Sequence, residues 1–195
     1  MSMSFVSYIL NGISLGSVYA IIALGYTMVY GIAKMLNFAH GDIIMVGSYV
    51  AFIAINSMGL PVPVSILLSV VVCTVLGMVI ERVAYKPLRH ASKLAVLITA
   101  IGASYFLQNV ALLIFGANTK SFTSIVGNGS VQLAGGALSV TMVTIVTVIA
   151  CVVIMIGLMA FMKYSKAGHA MLAVSEDDGA AQLMGINVNA TIALT

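Results

Sequence analysis

The sequence predicts an all-α protein, a polytopic bundle of transmembrane helices, and two observations lead to this fold class. The first is composition: 62% of the 195 residues are hydrophobic and only 7% are charged, whereas soluble domains carry about 25% charged residues. The second is the length of the uncharged runs, several of which reach the roughly 20 residues that a helix needs to cross a hydrocarbon core. These runs are too long for membrane strands of about 10 residues, and their polar residues are scattered singly, so helices are predicted rather than a barrel.

One transmembrane domain is predicted over residues 1–195. Its first apolar run has no basic segment before it and continues past a signal-peptide core of about 7–15 residues, so it is predicted to be a span rather than a cleaved signal. Pro61 and Pro63 begin the third run, where a helix tolerates proline. The predicted spans are residues 5–33, 43–59, 62–80, 94–115 and 137–162, followed by a connecting segment at 163–189 and the start of another span at 190–195.

Basic residues are distributed unevenly between the predicted loops. If the spans alternate in direction, loops 56–61 and 116–136 share one side of the membrane and hold only Lys120. The loops of the other side hold seven basic residues: Lys34, Arg82, Lys86, Arg89, Lys93, Lys163 and Lys166. Because cytoplasmic loops are enriched in Lys and Arg, this side is predicted to be cytoplasmic and the N-terminus to lie outside. The loop at 116–136, rich in Gly, Ser, Thr and Asn, is predicted to be exposed.

Three of the five acidic residues of the chain are adjacent, on the predicted cytoplasmic side: Glu176, Asp177 and Asp178. Ser175 can act as an N-cap, and Ser175 with Asp178 resembles a capping box. The three acids would then occupy the first turn of a helix, where the helix dipole favours negative charge. Gly185 suits the left-handed position that follows a helix end. The sequence therefore predicts a short cytoplasmic helix of two to three turns.

This short helix has one small apolar face, made by Ala180, Leu183 and Met184 at helical spacing. A helix of this length is not stable alone in water, so it must pack against something. Two interpretations stay open at this stage. It is either an ordinary loop helix packed on its own bundle or a docking helix for a cytoplasmic partner.

Four stretches resemble one family of membrane proteins. They are LNFAHGD at Leu36–Asp42, YKPLR at Tyr85–Arg89, TAIGASYFLQN at Thr99–Asn109, and Gly168–Asn187, which ends in GIN. In this order they resemble the inner-membrane permeases of binding-protein-dependent ABC importers for branched-chain amino acids, specifically the first of the two paired permeases. Since that family is longer and the chain stops in an apolar stretch, we expect an N-terminal fragment.

The resemblance implies a multi-pass subunit of a bacterial inner membrane that forms a translocation path through the lipid bilayer. Its implied partners are a second permease subunit, two cytoplasmic ATP-binding subunits and a periplasmic substrate-binding protein. ATP would be bound by the partner subunits, so this chain is expected to hold no cofactor and to be no enzyme. Nucleic acid is not an expected partner.

The resemblance also implies a role for the short helix. In binding-protein-dependent permeases a Glu-Ala-Ala-x-x-x-Gly loop docks into a groove of the ATPase, and Ala180, Ala181 and Gly185 fit this spacing. The sequence departs from the motif at Gly179, where the family has glutamate. A bulky residue at Ala181 is expected to block docking. The implied ATPase-coupling residues are Glu176, Asp177, Asp178, Ala180, Ala181 and Gly185.

A second candidate site lies between the first two spans, where Asn37, His40 and Asp42 are close together. Ionisable groups at membrane depth are costly and suggest function, and a break between helices offers free backbone groups or a helix N-terminus to a substrate carboxylate. These three residues are therefore candidates for the translocation path. The alternative is an ordinary cytoplasmic turn in which Asp42 caps the next span.

Other functions fit the sequence less well. A secondary transporter or channel is the alternative from another class, but no predicted span interior carries Asp or Glu. The sequence has no phosphate-binding glycine loop followed by Lys-Ser or Lys-Thr, and one histidine with one acid does not make a metal site. Within the permease class, importers of urea or short amides remain alternatives to importers of branched-chain amino acids.

Overall fold

The computed structural model describes residues 2–89, 91–121, 129–133 and 138–195. The predicted fold class is confirmed: the described residues are mostly helical, with one short β-hairpin. The helices are α1 (Ser2–Ala33), α2 (His40–Asn56), α3 (Val62–Ile80), α4 (Lys93–Phe115), α5 (Met142–Tyr164), α6 (Lys166–Glu176), α7 (Asp178–Leu183) and α8 (Val188–Leu194).

Four described helical stretches are long and apolar enough to cross a membrane: Tyr8–Ala33, Val62–Leu88, Leu94–Phe115 and Met142–Tyr164. Helix α2, in the predicted second span at 43–59, is shorter: it has 17 residues, begins at His40 and ends at Asn56. The predicted connecting segment at 163–189 is itself largely helical, because α6 and α7 lie within it.

The chain divides into two compact units, Met1–Thr27 with Thr123–His169 and Met28–Phe122 with Ala170–Thr195. In the first unit, β1 (Ser130–Leu133) pairs antiparallel with β2 (Leu138–Thr141), and Ser130 is opposite Thr141. The loop predicted at 116–136 therefore contains a strand, while residues 122–128 and 134–137, including the predicted start of the fifth span, lie outside the described residues. Helix α5 begins only at Met142, because Thr141 before it is extended.

In the second unit, α2 and α3 form an antiparallel helical hairpin that packs closely at Gly47. A Cβ atom placed on Gly47 would lie 2.6 Å from Cys73 Sγ and 3.1 Å from Ser69 Oγ, so any larger residue here requires these α3 side chains to move. The Ser69 hydroxyl donates to the Gly47 carbonyl at 2.7 Å, and Cys73 Sγ donates to the Ile43 carbonyl at 3.4 Å. These contacts fix the register between the two helices.

Helix α3 does not stop at Ile80 but continues as a five-residue π-helix, Glu81–Tyr85, and a 3-10 turn, Lys86–Leu88. Pro87 accounts for the change, because its ring clashes with the carbonyl four residues earlier and it has no N–H to donate. The backbone switches to the wider π turn, in which Lys86 N–H bonds to the Glu81 carbonyl. The core of this unit lies around this continuation and contains Ala39, Ile80, Tyr85, Val96, Ala100 and Leu107.

Candidate functional site

The first candidate site is the break between α1 and α2. The chain leaves α1 after Ala33, and Lys34 has a positive φ of 54°, a conformation that non-glycine residues rarely adopt. The backbone stays non-helical up to Ala39, which is fully buried. Non-helical backbone inside a membrane is tolerated only where protein or a water-filled cavity surrounds it, and Ala39 belongs to the core of its unit.

Two contacts show how deep in its unit α2 begins. On α4, Gln108 Nε2 donates to Asp42 Oδ1 at 3.0 Å, and Gln108 lies fifteen residues after Lys93, about 22 Å along the helix axis. On α3, Cys73 contacts Ile43, and Cys73 lies fifteen residues before Leu88, again about 22 Å. Asp42 and Ile43, in the first turn of α2, therefore lie beside positions about 20 Å from the basic ends of the helical stretches Val62–Leu88 and Lys93–Phe115.

The structure brings the three predicted residues together around this helix start. The Tyr85 hydroxyl donates to Asn37 Oδ1 at 2.7 Å, and the His40 N–H donates to the Asn37 carbonyl at 3.2 Å. Asp42 lies in the first turn of α2 and is only 7% exposed. The N-cap is Ala39, which provides no side-chain bond, so the interpretation of Asp42 as the capping residue is wrong.

This arrangement has a defined electrostatic character. The N-terminus of α2 carries a partial positive charge and N–H groups that helical bonding leaves over, and no side chain caps it. The Asp42 carboxylate gains from that field and from the Gln108 amide. A helix start held inside a bundle in this way can bind an anionic group from the side of the break.

The second candidate site is the short helix α7, and here the structure corrects the predicted start and length of the helix. Ser175 is not an N-cap: its hydroxyl donates to the Leu172 carbonyl at 2.6 Å inside α6, which runs on to Glu176. The cap is Asp177, whose carboxylate accepts from Ala180 N–H at 2.9 Å. Of the three acids, only Asp178 lies within the first turn of α7, and the helix has six residues instead of two to three turns.

The end of α7 is as predicted. Gly185 has a φ of +85°, its N–H bonds to the Gln182 carbonyl, and the Ile186 N–H bonds to the Ala181 carbonyl, both at 3.0 Å. These two bonds form a Schellman motif, which requires the left-handed conformation that glycine adopts freely. Helix α7 is therefore closed at both ends by its own residues.

The two faces of α7 differ in exposure. Leu183 is 90% exposed and Met184 is 83% exposed, and Ala180 beside them is exposed as well. Ala181, about 100° further round the helix than Ala180, is only 4% exposed. Among the predicted coupling residues, Ala180 is thus exposed to a partner, whereas Ala181 packs within the chain. The expectation that a bulky residue at Ala181 blocks docking directly needs correction, because such a residue would first disturb the protein's own packing.

A cleft of about 820 Å³ lies in the second unit beside α7. Its lining includes charges of both signs, among them Lys34, Arg89, Glu176, Asp177 and Asp178. Arg89 donates to Glu81 Oε1 and to Asn189 Oδ1, and so connects the end of α3 to the segment after α7. The cleft therefore borders both candidate sites, since Lys34 begins the break and Asp177 caps α7.

Sequence reasoning missed the partners of these residues. Tyr85 and Arg89 entered the sequence analysis only as letters of the YKPLR stretch. The available signal was Pro87, which disturbs the helix between them. Among the described residues no cluster of three or more His, Cys, Asp or Glu side chains could hold a metal ion.

These features define a multi-pass helical membrane protein with a break between its first two helices and a short exposed helix. Residues 8–195 match the family described as the permease component of the branched-chain amino acid transport system. The chain belongs to this family.

Curated relatives agree with the family. The chain is 43% identical to the high-affinity branched-chain amino acid transport system permease protein BraD of Pseudomonas aeruginosa, over 98% of this chain and 66% of the relative. It is 40% identical to the LivH protein of the same description from Salmonella typhimurium and 41% identical to that of Escherichia coli, in each case over 98% of this chain and 65% of the relative. The chain thus spans about 65% of the length of these relatives. No solved structure matches it significantly.

Proposed function

We propose that this chain is a membrane-spanning subunit of an ATP-driven importer for branched-chain amino acids in a bacterial inner membrane. The names of its relatives, high-affinity branched-chain amino acid transport permeases, support the substrate class. The proposed partners are a second permease subunit, two ATP-binding subunits that hydrolyse ATP at the cytoplasmic face, and a periplasmic protein that delivers the substrate. The side of the membrane that carries the seven basic residues is the proposed cytoplasmic side.

The observation that carries this proposal is the exposed apolar face of α7. A helix of six residues cannot fold alone, yet α7 is capped at both ends and points Leu183 and Met184 away from the chain. Burying such side chains contributes about 1.5–3 kcal/mol each, so a groove that covers both gains roughly 3–6 kcal/mol before the cost of association. We assign this face to the ATP-binding subunit, with Glu176, Asp177 and Asp178 at its rim.

The break before α2 is the proposed part of the translocation path. Its support is the position of the first turn of α2, where Asp42 lies about 20 Å from the basic end of α4. His40 and Asp42 belong to this turn, and Asn37 precedes it. An amino acid carries a carboxylate that a helix N-terminus can attract and an ammonium group that a carboxylate such as Asp42 can attract. Both groups of a zwitterion thus find a partner of opposite sign within one turn of helix.

The docking proposal is tested with Leu183→Glu in the complete transporter. This change places a charge where the proposed interface is apolar, and we expect at least a tenfold loss of ATP-binding subunit in pull-down of the tagged permease. The matched control is Leu172→Glu, at a 53% exposed leucine of α6, which should leave association unchanged. Wild-type association and uptake with Leu183→Glu would refute the role of α7. Substrate binding by the periplasmic partner distinguishes Leu, Ile and Val from urea or short amides.

A further inference from the structure

Arg89 occupies a connecting position that neither candidate site explains. One guanidinium nitrogen, Nη2, donates to Glu81 Oε1, and the other, Nη1, donates to Asn189 Oδ1. The Arg89 and Glu81 side chains are only 11% and 15% exposed. Arginine suits this position because its planar group holds donors in fixed directions, whereas a lysine ammonium acts as a single point charge.

The Asn189 end of this connection belongs to the same short stretch as α7. Asn189 is the second residue of α8, and Asn187 caps α8 by accepting from Ala190 N–H at 3.0 Å. Only residues 184–187 separate the end of α7 from the start of α8. The Schellman bonds hold this turn. A displacement of α7 is therefore passed to Asn189.

The Glu81 end belongs to the π-helix Glu81–Tyr85. Glu81 is its first residue and bonds to Arg89, while Tyr85 is its last residue and bonds to Asn37 in the break before α2. Side-chain contacts thus run from Asn189 through Arg89 and the π-helix to Asn37. All of these residues lie in one compact unit.

The π-helix is suited to movement. It carries i→i+5 bonds in place of i→i+4 bonds, a rare arrangement that occurs mostly at functional sites, and a shift of one bond register converts it to α-helix. Arg89 Nε is buried and has no hydrogen-bond partner among the described residues. A buried donor without an acceptor raises the free energy of this arrangement, which lowers the cost of rearranging Arg89.

We propose that Arg89 is a positioning residue that transmits movement of the α7–α8 segment, through the π-helix Glu81–Tyr85, to Asn37 and the start of α2. The inference rests on the proposed docking of an ATP-binding subunit on α7. It adds the route by which ATP-driven closure opens or closes the break. Arg89 itself contacts neither the ATP-binding subunit nor the substrate in this scheme.

The test is Arg89→Gln in the complete transporter reconstituted with its ATP-binding and substrate-binding partners. We expect association and ATP hydrolysis within about twofold of wild type, and at least a tenfold fall in substrate imported per ATP hydrolysed. Arg82→Gln is the matched control, since Arg82 is exposed in the same π-helix, and it should keep the wild-type ratio. An unchanged ratio in Arg89→Gln overturns the proposal, and so does loss of the ATP-binding subunit, which would make Arg89 a docking residue.

A second pair of variants protects the test against misfolding of Arg89→Gln. Asn189 is exposed, so Asn189→Ala should fold and uncouple hydrolysis from uptake, while Asn189→Asp keeps an acceptor for Nη1 and should restore wild-type coupling. Equal ratios in these two variants overturn the proposal. Association of Leu183→Glu reports separately on α7 docking, so failure of the docking proposal and failure of the relay give different results.

Discussion

Replacing Gly47 by alanine should displace α2 from α3 and impair transport. The added methyl group would lie 2.6 Å from Cys73 Sγ and 3.1 Å from Ser69 Oγ, well below an ordinary carbon–sulfur contact. Cys73 cannot turn away freely, because its Sγ bonds to the Ile43 carbonyl, and Ser69 is held by the Gly47 carbonyl. Overpacking of this kind costs about 1–3 kcal/mol.

The compensating change is Cys73→Ala, which removes the sulfur that the new methyl group meets. The double variant Gly47→Ala/Cys73→Ala should recover at least about 1 kcal/mol of the loss, a coupling energy of the size seen for residues in direct contact. The measurements are thermal unfolding of the purified complex in detergent and substrate uptake by membranes. Additive effects of the two substitutions, or wild-type uptake by Gly47→Ala, would refute the reasoning that this contact fixes the depth of α2.

Two further predictions concern the proposed path and the orientation. His40→Ala and Asp42→Ala should each lower uptake while the subunits still assemble, since both side chains lie at the helix start; normal transport by both variants would return the break to a structural turn. A cysteine at Lys120 should react with an impermeant thiol reagent from outside intact cells, and one at Asp177 should not; the opposite pattern would invert the proposed topology.

Local features of this chain could be predicted from sequence, because local chemistry decides them. Gly185 was predicted after a helix end, and it has the left-handed backbone that such an end requires. The third span was predicted to begin at 62, where proline marks the helix start, and α3 begins there, although the helical stretch continues past the predicted end at 80 to Leu88. The cap of α7 was placed two residues early, because Ser175 and Asp177 are both good caps and only the continuation of α6 selects between them.

The depth of α2 could not be predicted in this way. Alternation of the spans, together with the count of basic residues on each side, assigned residues 34–42 to a cytoplasmic loop. What holds the start of α2 inside its unit are bonds to Gln108 and Tyr85, which are 66 and 48 residues from their partners. Periodicity and composition contain no information about such pairs, so the sequence alone could not predict which residues hold the start of α2.

If the break before α2 is part of the path as proposed, the shortness of α2 changes the barrier that a polar solute must cross. The neighbouring helical stretch Val62–Leu88 has 27 residues and α2 has 17, a difference of about 15 Å at the helical rise. Over this length, the space before the first residue of α2 is bordered by the Lys34–Leu36 segment and the 820 Å³ cleft. It is not bordered by a helix whose backbone hydrogen bonds are satisfied. Water can hydrate a solute there, so the dehydrated stretch shrinks to roughly half of the ~30 Å hydrocarbon thickness. The electrostatic cost of moving a charged group rises with the length of the low-dielectric region that it crosses. The helices that open and close the proposed path therefore need to seal only this shorter stretch.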